Sequence, residues 1–113
     1  MNFMLKSVLE SQYQVIAVDD VFRGLNELKR SEDIELVIVD MDYSTTENWD
    51  FIRHLKTSSF YQKPVIVLTG DKSEKMEQTI AEEKVYDFFF KPFYPPDLVR
   101  SIEKLMETDT MYN

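Results

Sequence analysis

Nine consecutive residues, Ile34-Glu35-Leu36-Val37-Ile38-Val39-Asp40-Met41-Asp42, constrain this chain more than any other stretch. A nearly unbroken apolar run rich in Val and Ile is the pattern of a strand buried on both faces, as in a parallel sheet covered by helices. The run stops at a carboxylate, Asp40, and a second carboxylate, Asp42, follows two residues on. In open α/β sheets the reacting groups lie outside the carboxyl ends of the strands, which puts Asp40 where chemistry belongs. Taken alone, the run serves equally well as a strand ended by a turn-capping Asp.

The flanking sequence alternates strand and helix patterns. Met4, Leu5, Val8 and Leu9 recur at helical spacing over residues 2–11, and Tyr13-Gln14-Val15-Ile16-Ala17-Val18 then reads as a strand ending at Asp19-Asp20. Either acid can cap the next helix, whose expected buried stripe is Phe22, Leu25 and Leu28. The apolar strand, residues 35–40, follows as the central one. A polar loop leads from Asp42 into a third helix that buries Trp49, Ile52 and Leu55.

Pro64-Val65-Ile66-Val67-Leu68-Thr69-Gly70 is a second fully apolar strand, stopping at a hydroxyl and a glycine. Ser73, with a carboxylate just after it, starts a fourth helix carrying Met76, Ile80 and Ala81. Val85-Tyr86-Asp87-Phe88-Phe89-Phe90 is the last strand and runs into Lys91-Pro92. Pro95-Pro96-Asp97 suits the first turn of a final helix, with Leu98, Val99, Ile102, Leu105 and Met106 at core spacing and a frayed tail over residues 109–113. This alternation predicts one α/β domain with a parallel sheet over residues 1–113, its core about 2–107.

Composition narrows the functions open to such a domain. With 113 residues the chain has room for one core and not for two. A formal charge of −8 argues against non-specific binding to nucleic acid. No apolar run approaches the ~20 residues of a membrane-spanning helix, and there is no basic stretch ahead of an apolar one to form a secretory signal. The absence of cysteine excludes disulfide and thiol chemistry and fits a cytoplasmic setting. His54, the single histidine, reads as a solvated surface residue.

Three strands therefore end in Asp40, Thr69 and Lys91. In a parallel sheet those ends share one edge, so a carboxylate, a hydroxyl and an ammonium converge. That trio suits phosphoryl chemistry, with the Asp as nucleophile and the other two binding phosphoryl oxygens.

Through Leu36-Val37-Ile38-Val39-Asp40, Pro64-Val65-Ile66-Val67-Leu68-Thr69-Gly70 and Phe88-Phe89-Phe90-Lys91-Pro92-Phe93, the chain resembles the receiver domain of two-component response regulators. The resemblance covers nearly the whole chain, from Met4 to Met106. It implies a flavodoxin-like, three-layer α/β/α fold with a parallel sheet in the order 2-1-3-4-5. It also implies a phosphorelay signalling domain rather than an enzyme. Asp40 would be the phospho-acceptor, with Thr69 as switch hydroxyl, Phe88 as switch aromatic and Lys91 as phosphate-binding lysine. Mg2+ would be held by Asp40 and by the backbone carbonyl of Asp42. The implied partners are a sensor histidine kinase or phosphotransfer protein and a downstream protein docking on residues 73–83 and 88–107.

Against the family pattern, Met1 falls inside the helix that should follow a first strand ending in an acidic pair, so the fold is expected to be truncated at its N-terminus. Asp19-Asp20 imitates that pair, but its position matches the end of the family's second strand. Without the pair, Mg2+ binding would be weak, and a degenerate receiver that docks without phosphorylation is the alternative. Ser44 and Asn48 stand in the loop after Asp40 where the family favours Pro and Gly, and Asn48 tolerates a left-handed backbone. Lys84 replaces a helix-ending glycine, at a modest strain. Val39-Asp40-Met41-Asp42-Tyr43-Ser44 also resembles the first motif of haloacid-dehalogenase-type phosphohydrolases, but the chain lacks their later acidic motif. A missing strand would leave two apolar backbone edges open. Either residues 13–18 slide over to pair with the Asp40 strand, or a second copy fills the slot in a homodimer.

Overall fold

The structure, a computed structural model, describes residues 3–31, 33–58 and 62–111. The elements in chain order are α1 (Phe3–Glu10), α2 (Val21–Arg30), β1 (Val37–Asp40), α3 (Thr45–Thr57), β2 (Val65–Thr69), α4 (Glu74–Glu83), β3 (Asp87–Phe90) and α5 (Pro95–Met111). Val18–Lys91 forms one compact unit, and the segments on either side of it form the other.

The Val18–Lys91 unit is built on a parallel sheet in the order β1-β2-β3. Every residue of β2 is buried, as its continuous Val-Ile-Val-Leu-Thr sequence requires. Among the described residues β2 is thus the central strand, and the Asp40 strand, expected at the centre, lies at an edge. Hydrogen bonds from Val37 N–H to the Pro64 carbonyl and from Met41 N–H to the Leu68 carbonyl bracket the β1–β2 ladder. Val39, Met41, Trp49, Phe51, Ile52, Leu55, Val65, Val67, Met76 and Ile80 close into one apolar cluster with Leu28. Burial of each such large apolar side chain is worth roughly 1.5–3 kcal/mol, so strand ends and helices of this unit are held by one shared core.

Several expectations need correction. Residues 13–18, expected as a strand, form none, and Ile16 is 47% exposed. An extended segment becomes a strand only when a neighbour satisfies its backbone groups, and no partner for 14–18 exists among the described residues. Among the described residues β1 pairs with β2 alone. On α2, Phe22 is 74% exposed, and Val21, Leu25 and Leu28 face the core instead. That stripe runs i, i+4, i+7, and Phe22 sits about 100° round the helix from it. Ala81 is exposed for the same reason, one position past Ile80 on the Met76–Ile80 face.

Helix ends follow local chemistry. Asp20 caps α2 by accepting the Arg23 N–H, and Ser73 caps α4 by accepting the Met76 N–H. Lys84 ends α4 in the left-handed region at φ 52°, the strained position a glycine would relieve. In the other unit, α1 and α5 are in contact, and Leu5, Leu9, Leu98, Ser101 and Ile102 are buried. α5 continues to Met111, beyond the expected start of a frayed tail, while residues 112–113 lie outside the described ones.

Candidate functional site

Each strand of the sheet delivers one group to its C-terminal edge. β1 ends on Asp40, β2 on Thr69, and Lys91 follows β3 directly. The Lys91 N–H donates to the Thr69 carbonyl at 2.8 Å, which anchors the lysine backbone beside the middle strand. From there its Nζ reaches Asp40 Oδ2 at 2.6 Å and Asp42 Oδ2 at 2.9 Å. The side chains of Lys91, Asp40 and Asp42 are 33%, 31% and 31% exposed, so the cluster is open to solvent on one side.

The loop after β1 holds both carboxylates in place. The Asp42 N–H donates to Asp40 Oδ1 at 3.0 Å, a tight Asx turn. The Asn48 side-chain amide donates to the Asp40 carbonyl at 2.9 Å and to the Tyr43 carbonyl at 2.6 Å. Asn48 is helical, in the first turn of α3, and the left-handed residue of this loop is Ser44 at φ 53°. Asn48 thus replaces loop-stiffening residues with hydrogen bonds rather than with a special backbone angle.

Asp42 does more than its backbone implied. Its Oδ1 accepts the Gly70 N–H at 2.8 Å and lies 3.4 Å from Thr69 Oγ1. Thr69 is fully buried, and its hydroxyl accepts the Asp71 N–H at 3.0 Å, leaving its proton free to point at Asp42. Partial burial raises the Asp42 carboxyl, but the Gly70 N–H, Lys91 and Thr69 outweigh it and hold the group below the usual aspartate range. Partial burial likewise opposes the Lys91 charge, and its hydrogen bonds to Asp40 and Asp42 overcome it and raise the ammonium above the usual lysine range. The sequence signal for Asp42 was its place two residues beyond Asp40, in the turn that follows β1. The Gly70 N–H has no side-chain signature and could not be read in advance.

Phe88 lies on β3, 42% exposed, with its ring edge-on to Phe90 at 5.6 Å between centroids. His54 is exposed.

Residues 1–103 match the response regulator receiver domain family. The chain belongs to that family. It is 28% identical over 98 residues to the two-component response regulator ORR7 of rice (Oryza sativa subsp. japonica), covering 86% of this chain and 47% of that protein. It is 32% identical over 101 residues to the putative two-component response regulator ARR21 of Arabidopsis thaliana, covering 88% of this chain and 16% of the relative. The chain thus spans less than half of either protein. A response regulator receiver protein from Pseudomonas putida superposes with a TM-score of 0.80 at 24% identity, over 89% of this chain and 84% of the other. A CheY-like receiver domain from Methanospirillum hungatei JF-1 does so with 0.78 at 19% identity, over 97% and 87%. The receiver's parallel sheet and alternating helices are those of the flavodoxin-like α/β fold.

Receiver domains generally bind Mg2+ at an acidic pocket, and the residues of this receiver do not fit that pattern. Among the described residues, no three His, Asp or Glu side chains cluster as a metal site. The two carboxylates that do meet already share the Lys91 ammonium, which occupies Asp40, the side-chain ligand expected for the metal. No helix of the described residues is long and apolar enough to cross a membrane.

Proposed function

We propose that this receiver takes a phosphoryl group on Asp40 from a histidine kinase or phosphotransfer protein and signals by protein docking. The observation that carries the proposal is the meeting of Asp40 with Lys91 at 2.6 Å, at the carboxyl ends of parallel strands. The Asp40 Oδ attacks phosphorus, the bond from phosphorus to the donor breaks, and its electron pair leaves with the donor. Transfer of this kind relies on positioning and on charge neutralisation, and Lys91, Thr69 Oγ1 and the Gly70 N–H supply donors on one side of the acceptor. Residues 1–113 act as one receiver domain in the cytoplasm, a signalling module rather than an enzyme.

Thr69 and Phe88 are the switch pair in this reading. An acyl phosphate on Asp40 recruits the Thr69 hydroxyl, and exposed Phe88 reports the change to a downstream protein bound at residues 73–83 and 88–107. Tyr94, 64% exposed, belongs to the second of these segments. Self-association through the outer edge of β1, unpaired among the described residues, is part of the same proposal.

A second reading, a degenerate receiver that docks without phosphorylation, is favoured by the misfit to Mg2+ and by the Asp42 carboxylate on the anion-binding donors. Intact mass after incubation with acetyl phosphate, with and without Mg2+, separates the two. The acceptor reading expects one phosphoryl group, abolished by Asp40→Ala. Labelling that survives Asp40→Ala overturns the assignment, and no labelling from acetyl phosphate or from a phosphorylated phosphotransfer protein favours the degenerate reading.

A further inference from the structure

The donors assigned above to a phosphoryl group already hold an anion. The Asp42 side chain turns back over the strand ends. Its Oδ1 takes the Gly70 N–H at 2.8 Å and lies 3.4 Å from the Thr69 hydroxyl, and its Oδ2 takes the Lys91 ammonium at 2.9 Å. A backbone N–H, a hydroxyl and an ammonium, brought by β2 and β3, thus converge on one carboxylate belonging to the loop after β1. The carboxylate packs close over residue 70, where a Cβ would make ordinary contact with Asp42 Oδ2 at 3.4 Å. The Asx turn from the Asp42 N–H to Asp40 Oδ1 fixes the backbone from which that side chain starts. Lys91 therefore divides its charge between the acceptor and a neighbour that does not accept.

We propose that Asp42 is a built-in occupant of the phosphoryl pocket, competing with the incoming group for Gly70, Thr69 and Lys91. The proposal rests on the reading of Asp40 as acceptor and adds a regulation to it. Phosphorylation requires the Asp42 side chain to swing out of the pocket, so the resting receiver resists small phosphodonors, and a partner that draws the loop after β1 outward makes it receptive. A phosphoryl group entering with Asp42 in place would meet two carboxylates, with the Gly70 N–H and the Thr69 hydroxyl engaged and the Lys91 charge already shared between Asp40 and Asp42. Removing Asp42 releases the Gly70 N–H and the Thr69 hydroxyl and leaves Lys91 to Asp40 alone, and reactivity rises on the order of tenfold, the factor of about one charge-assisted hydrogen bond.

Two measurements test this. The chain has only two glycines, so 15N-glycine labelling gives two amide signals, and Gly24→Ala identifies that of Gly70. In the native protein, millimolar inorganic phosphate is expected to leave the Gly70 signal in place. In Asp42→Ala, and in Asp42→Asn as the closer steric match, phosphate is expected to shift it saturably, and added Lys91→Ala to abolish the shift. In parallel, labelling by acetyl phosphate is expected to be about tenfold faster in Asp42→Ala than in the native protein, and absent in Asp40→Ala/Asp42→Ala. Equal phosphate responses, or measurable but equal labelling rates, in native and Asp42 variants overturn the proposal and leave Asp40 as acceptor. If no variant is labelled on Asp40, the acceptor reading falls, and the Gly70 response alone still decides whether Asp42 fills the pocket.

Discussion

Lys91 Nζ stands 2.6 Å from Asp40 Oδ2 across 51 positions of sequence. The two residues meet because each directly ends or follows a strand of one parallel sheet, and because Lys91 is tied by its backbone to Thr69 on the strand between them.

That geometry makes Lys91 a partner of the transferred group rather than a stabiliser of the fold. Lys91→Ala is expected to slow Asp40 labelling roughly 10²-fold, as loss of a preorganised charge donor does. Its effect on unfolding free energy should stay under about 1 kcal/mol, because all three charged side chains are a third exposed and solvent screens them. Labelling kinetics and urea unfolding, run on the same variant, check both halves.

Asn48 should matter to stability more than its polar loop setting suggests. Its amide holds the Asp40 and Tyr43 carbonyls, closing the loop that carries both carboxylates. Asn48→Ala is expected to cost about 1–2 kcal/mol in urea unfolding, and Asn48→Asp at least as much, because a carboxylate cannot donate to either carbonyl. An unchanged midpoint in both variants would show that water replaces the amide.

Lys84 offers a stabilising substitution. It is exposed and holds φ at 52°, where a Cβ crowds the backbone. Lys84→Gly is expected to raise stability by about 0.5 kcal/mol, since relief of left-handed strain exceeds the added freedom of the unfolded chain. Lys84→Val, β-branched at the same angle, should lower it, and thermal melts distinguish the two.

The outer edge of β1 bears on assembly. Since the N–H groups of Val37 and Met41 bond to β2, the alternation of a parallel ladder turns those of Ile38 and Asp40 to the open side. Light scattering on the purified chain is expected to show a dimer, and Ile38→Pro, which removes an outward donor without touching the β2 ladder, to weaken it. A strictly monomeric protein at high concentration rules self-association out.

The sequence by itself determined the parallel sheet, its three apolar strands and the identity of the residues that end them. Strands such as Val65–Thr69 are continuous apolar runs, and a run of that kind has few alternatives to burial between helices. Caps at Asp20 and Ser73 and the strained helix end at Lys84 were equally legible, because each is settled by residues within one turn. Tertiary structure alone decided three other things. Residues 14–18 have a strand's composition but no strand, because pairing depends on a neighbour and not on the segment. Phe22 faces outward because one residue along a helix is a turn of about 100°, and only packing decides which stripe is buried. The Asp42 carboxylate lies on Gly70, Thr69 and Lys91 because three chain segments 20 to 50 residues apart close around it, and a hydrogen bond from a backbone N–H leaves no trace in the sequence.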